Sequence, residues 1–175
     1  VYTLAEVEAT NLADGTVPEV AKFEPLQPKH DVLKIGFSQN EVNNNWRIVE
    51  NRSLEQAFAA YGWEEVYRDA ESSSEKQNRD IMDLVDADCD IIFLAPYEVT
   101  GMQTGLEYAA EANIPVIQID RTTEGPCLTQ CLGDFVLVGR MMAEYIRSLF
   151  GEGEEINFLE IHGGEGASYA IDIHK

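Results

Sequence analysis

The chain has 175 residues, enough for one good hydrophobic core and a small second unit, with 32 acidic residues against 12 basic and a formal charge of −20. So acidic a surface excludes nucleic acid and anionic membrane as partners, because both need a basic face, and by itself confers solubility. No stretch approaches the roughly 20 consecutive apolar residues of a membrane span, and neither an initiator Met nor a signal peptide is visible.

Residues 1–32 carry Pro18, Pro25 and Pro28 and little periodicity; apart from a short helix over Leu4–Leu12 they read as an arm or linker. From Leu33 the pattern turns regular. Strand Leu33–Ser38 leads to a helix over Trp46–Tyr61, with Val49, Leu54, Ala57, Phe58 and Tyr61 at helical spacing and Gly62 as its stop. Glu64–Tyr67 is an acid-rich strand suited to a sheet edge. Ser72–Ser74 offer N-caps for a helix reaching Val85, and strand Ile91–Leu94 ends at Ala95-Pro96-Tyr97. A third helix spans Gly101–Glu111, followed by strand Val116–Ile119 and a short extended piece at Leu128–Leu132.

Asp134 then caps a long helix whose apolar stripe is Val138, Met141, Met142, Tyr145, Ile146 and Leu149. Ile156–Ile161 reads as a fifth core strand, and Gly163-Gly164-Glu165-Gly166 as a tight turn into a further helix. Strands with continuous apolar runs alternating with helices predict an α/β protein with a doubly wound parallel sheet.

In such a sheet ligands collect outside the carboxyl ends of the strands. Two ends carry suitable chemistry. After the first strand come Gln39, then Trp46, Arg47 and Glu50, where the i, i+4 relation puts Trp46 and Glu50 on one helix face. After Val116–Ile119 come Asp120 and Arg121 directly. An indole can stack on the C–H face of a sugar ring, and a carboxylate beside a guanidinium can grip vicinal hydroxyls. Taken alone, the same residues also fit a packed Trp and ordinary surface ion pairs.

Other chemistries lack their residues. The Gly163–Gly166 turn is neither G-x-G-x-x-G nor a P-loop, and Glu165 would sit where a phosphate belongs. Ser168 lacks a G-x-S-x-G context, and no nucleophile has a base at a recognisable spacing, so neither an enzyme nor a cofactor is expected. Cys89 reads as a small buried hydrophobe. Cys127 and Cys131 stand about 13 Å apart in an extended segment, too far for a disulfide, and form no metal motif with His162 or His174, so no metal site is expected.

Taken as a series, Ile35-Gly36-Phe37-Ser38-Gln39, Trp46-Arg47 with Glu50, Ala95-Pro96 with Thr100-Gly101, Ile119-Asp120-Arg121, Gly139-Arg140-Met141 and Gly166-Ala167-Ser168 with Ala170-Ile171-Asp172 resemble the type I periplasmic sugar-binding proteins of bacterial ABC importers. Within that family the series is most similar to the galactofuranose and ribose binders, and it covers Leu33 to Lys175. The resemblance implies two lobes that close on a monosaccharide, a pentose or furanose-type sugar, with an ABC importer permease as partner, an extracytoplasmic location and a monomer when full length. It implies that residues 33–154 are an incomplete N-terminal sugar-binding lobe and that 155–175 begin the second lobe, where the chain is cut off. It implies that Trp46 stacks on the sugar or walls the pocket, that Arg47, Glu50, Asp120 and Arg121 bind hydroxyls, and that Gln39 supports the first strand end. The alternative within the same fold is the ligand-sensing domain of a receptor or regulator.

Overall fold

The computed structural model describes residues 28–175; the helix expected at Leu4–Leu12 lies outside the described residues. Five strands, β1 (Lys34–Gln39), β2 (Glu64–Asp69), β3 (Ile91–Leu94), β4 (Val116–Ile119) and β5 (Thr129–Cys131), form one sheet in the order β2-β1-β3-β4-β5. Every neighbouring pair is parallel. The helices are α1 (Asn45–Tyr61), α2 (Ser74–Asp86), α3 (Gln103–Glu111), α4 (Phe135–Ser148) and α5 (Ser168–Ile173). The expected parallel α/β fold is present, and the acid-rich strand does form an edge.

Local signals explain most boundaries. Ser73 accepts from Lys76 N to start α2 and Asp134 accepts from Leu137 N to start α4, each sparing a helix N–H that would otherwise lack a partner. Gly62 closes α1 in the left-handed region, at φ 71°. The segment before β1 is tied down by charge: Lys29 N and Lys34 N both donate to the Asp90 carboxylate, and His30 Nδ1 lies 2.9 Å from its Oδ2.

One face of the sheet is closed. Ile92 and Leu94 of β3 and Val116 of β4 meet Ile81 and Leu84 of α2 and Met102, Leu106 and Ala109 of α3, all buried. α2 and α3 approach so closely that a Cβ on Gly105 would stand 2.6 Å from Asn78 O, so only glycine fits there.

The opposite face is covered in part. Phe58 of α1 packs on Phe93 at 5.4 Å between ring centroids, and Phe37 meets Tyr67 edge-on at 5.6 Å. The inward stripe of α1 is Arg47, Asn51, Leu54 and Phe58; Val49, Ala57 and Tyr61, expected on it, are exposed. Towards β4 the cover thins, and Phe93, Ile117 and Ile119 stay only half-buried.

Two expectations fail beyond β5. The apolar stripe of α4 is real in sequence, but Val138, Met141, Met142, Tyr145 and Leu149 are exposed, because α4 packs on α5 and not on the sheet. Gly139 marks that crossing: a Cβ there would fall 2.0 Å from Ile173 O. Ile156–Ile161, expected as a fifth core strand, forms no ladder; Leu159 is 88% and Ile161 93% exposed. A strand exists only through pairing, and no described strand lies beside this segment.

Candidate functional site

β1 is where the sheet order reverses, with β2 on one side and β3 on the other. Connections leave such a point in opposite directions and open a crevice above the strand ends. Asn40, buried just after β1, donates through Nδ2 to Pro96 O after β3 at 3.0 Å and ties the two loops together.

The cap on α1 sets the first functional side chain. Asn44 Oδ1 accepts from Arg47 N at 3.1 Å, which fixes the first turn and points Arg47 inward, where it is 1% exposed. A cation at a helix N-terminus opposes the helix dipole, so this guanidinium needs anions close by. It has two: Nη1 donates to Glu50 Oε2 at 2.6 Å, and Nη2 forms an ion pair with Asp120 Oδ2 at 2.7 Å. Glu50 is also held from the strand, since Gln39 Nε2 donates to its Oε2 at 2.9 Å and to Asn51 Oδ1 at 2.7 Å.

Asp120 enters from β4 across the end of β3. Its φ of +63° places it in the left-handed region, and Arg121 N donates to Ile119 O at 2.7 Å to close a three-residue turn. Such a backbone costs on the order of 1–3 kcal/mol in a non-glycine residue and persists where surroundings over-determine it, often at binding sites. Here the determinants are the Arg47 contact and the bond from Asp120 N to Cys131 O at 3.0 Å.

Arg121 continues the cluster. Its Nη1 donates to Tyr97 O at 3.2 Å and its guanidinium carbon lies 4.9 Å from the Tyr169 ring centroid. Nε is buried, 4.0 Å from Asp120 Oδ2, with no hydrogen-bond partner among the described residues. Burial, reinforced by the neighbouring Arg47, lowers the Arg121 pKa against the opposing pull of Tyr169 and Asp120.

The structure therefore joins five of the six expected residues, Gln39, Arg47, Glu50, Asp120 and Arg121, into one network. Trp46 stands apart on the rim, 66% exposed, while Glu50 turns inward, so the expected shared face of Trp46 and Glu50 is not formed. Two guanidinium groups face two carboxylates, which leaves the site near neutral within a chain of net charge −20. Such a set accepts from and donates to hydroxyl groups and offers no excess charge to an anion or cation.

Sequence reasoning did not include Asn40, Asn51, Ser168 or Tyr169 among the site residues. Asn40 belongs to the same polar strand end as Gln39, which was signal enough. Ser168 and Tyr169 reach the site only through tertiary structure: Thr122 N donates to Ser168 Oγ at 2.9 Å and Val99 N to Gly166 O at 3.0 Å, laying the segment before α5 across the loops after β3 and β4. A hollow of about 610 Å³ borders that crossing, lined by Glu98, Val99, Thr100, Glu165, Gly166 and Ile171. The Arg47 network does not line it. Burial pushes the Cys89 thiol up to about 11 and raises that of Cys127, so both stay protonated near neutral pH.

Residues 35–175 match the family model of a periplasmic binding protein domain. The chain belongs to that family. It is 30% identical over 135 residues to a ribose import binding protein of Bacillus subtilis, covering 77% of this chain and 44% of the relative. It is 29% identical over 147 residues to a galactofuranose-binding protein of Escherichia coli, covering 82% of this chain and 46% of the relative. The crystal structure of a galactofuranose binding protein superposes with a TM-score of 0.76 at 29% identity, over 81% of this chain and 49% of that one. The chain spans about half the length of the curated relatives it matches. These relatives are binding proteins, and among the described residues no helix is long and apolar enough to cross a membrane.

Proposed function

We propose that this chain is the N-terminal portion of an extracytoplasmic sugar-binding protein that delivers a pentose or furanose-type monosaccharide to an ABC importer permease. The observation that carries the reading is the buried, charge-balanced bridge from Arg47 to Asp120, which joins two strand ends across the sheet's switch point. Glu50 and Asp120 accept hydrogen bonds from hydroxyl groups, Arg47 and Arg121 donate to hydroxyl oxygens, and Trp46 offers an exposed indole for the apolar face of the ring. The pairing of each charge with an opposite one means that a neutral ligand enters without stranding an ion. The ribose and galactofuranose binding of the relatives supports the same substrate class.

On this reading residues 33–154 are one wall of the cleft, residues 155–175 begin the lobe that closes on it, and the pocket is completed by sequence downstream. The 175-residue chain alone therefore binds weakly, and tight binding by it would contradict the two-lobe reading. Calorimetric titration of the protein extended downstream with D-ribose, L-arabinose, D-galactose and D-fructose tests the function. Saturable heat is expected with at least one sugar, and Trp46→Ala is expected to weaken binding by about 1 kcal/mol, roughly fivefold. No heat with any of the four, together with no effect of Trp46→Ala, would contradict it.

A further inference from the structure

Away from the cleft, Glu160, His162 and His174 converge at the surface. One ligand atom from each lies within 4.8 Å of the others. His174 Nε2 is 2.9 Å from Glu160 Oε1, and the imidazoles of His162 and His174 stack with centroids 4.1 Å apart and planes 7° from parallel. We propose that these three side chains bind one divalent transition-metal ion of the zinc, nickel or copper class.

The placement has a local cause. Glu160 and His162 lie two residues apart in the exposed segment before α5, and both offer a ligand atom beside that of His174. His174 comes from the far end of α5, which is itself anchored: Ser168 Oγ accepts from Thr122 N, and Ile173 packs against Gly139 of α4. The segment thus supplies two ligands to a third held on a fixed element.

The distances suit an ion of this kind. Metal–nitrogen and metal–oxygen bonds of about 2.0–2.2 Å place tetrahedral ligand atoms roughly 3.3–3.5 Å apart. The Glu160–His174 pair already lies closer than that; His162, now stacked on His174 with its ring plane parallel, must turn out of the stack to aim a nitrogen at the same point, a rotation its exposed side chain permits. Two imidazoles and one carboxylate favour zinc, nickel and copper, whereas calcium and magnesium require six or more oxygens. Exposure leaves the remaining coordination positions to water, and the chain's acidity raises the local concentration of cations. A bound ion would cross-link residues 160–162 to the end of α5.

The test is calorimetric titration of Zn²⁺ and, separately, Ni²⁺ into the 175-residue chain carrying Cys131→Ser, which removes the exposed thiol as a competing ligand. One ion per chain is expected, reversed by EDTA. Loss of an outer partner of a metal ligand alone costs at least about tenfold in affinity, so His162→Ala and His174→Ala should each weaken binding by roughly tenfold or more. His30→Ala, which removes the third histidine of the sequence, should leave it unchanged. His162, His174 and Cys131 are exposed and His30 is half-buried against Asp90, and an unchanged far-UV circular dichroism spectrum confirms that each variant is folded. Absence of saturable binding, or affinity unaltered in the double variant His162→Ala/His174→Ala, would overturn the proposal.

Discussion

α2 and α4 are both amphipathic helices with comparable apolar stripes, yet one is core and the other is surface. Ile81, Leu84 and Val85 of α2 disappear between the sheet and α3, while Met141, Met142 and Tyr145 of α4 face outward. Periodicity thus fixes which residues of a helix would be buried together, and not whether anything arrives to bury them. What decides is the partner. α3 lies against α2 with the Gly105 contact drawing them close, whereas the face of β3 and β4 that could receive α4 is left half-covered.

A pair of matched truncations should separate the two helices most clearly. Leu84→Ala should cost about 2–5 kcal/mol of unfolding free energy by opening a cavity in a closed core. Met141→Ala, which removes an exposed side chain, should stay within about 0.5 kcal/mol. Urea denaturation of both variants measures this; similar losses for the two would mean that α4 is packed in solution.

Next in size is the functional cluster. Arg47→Met leaves Glu50 and Asp120 facing each other without their shared cation, which for fully buried pairs costs about 3–5 kcal/mol. Because both carboxylates keep some exposure, roughly 2–3 kcal/mol is expected here, again from urea denaturation. A change below about 0.5 kcal/mol would show that the bridge is not formed in solution.

A smaller effect sharpens the view of the chain's entry into the sheet. Burial alone would raise the Asp90 carboxyl, but hydrogen bonds from Lys34 N, His30 and Lys29 N together lower its pKa below 3.8. A lowered carboxylate value means that its stabilisation is present above about pH 4 and is lost as pH falls through the folded-state value. Asp90→Asn should therefore cost about 1.5 kcal/mol at pH 7 and progressively less as the pH drops below 4. Stability curves of the two proteins that stay parallel from pH 7 to pH 2 would remove Asp90 from this role.

The sequence was most legible where one segment carries its whole signal. Ile91–Leu94 and Val116–Ile119 are short apolar runs bounded by turn residues, and both emerge as strands at those limits. The strand ends were legible for the same reason, since polar residues stop each run abruptly. What could not be read was which of those residues touch. Arg47 and Asp120 are joined only because β3 lies between their strands, a fact of topology. Trp46 and Glu50 share a helical repeat, but the capped first turn sends Arg47 and Glu50 inward as an i, i+3 pair. Ile156–Ile161 misled because an apolar run promises a strand only when a neighbouring strand completes its hydrogen bonds.

On the proposed function, the two strand ends make one sugar-binding surface around the Arg47–Asp120 bridge. NMR titration of the 175-residue chain with L-arabinose, D-ribose and D-galactose, read at high sugar concentration, tests it without requiring tight binding. Saturable shifts of the Trp46 indole N–H and of the side chains of Arg47 and Arg121 are expected, and their loss in Asp120→Ala. Sugar-dependent shifts confined to the hollow around Ala143, Phe150 and Phe158, or no shift at any sugar concentration, would contradict it.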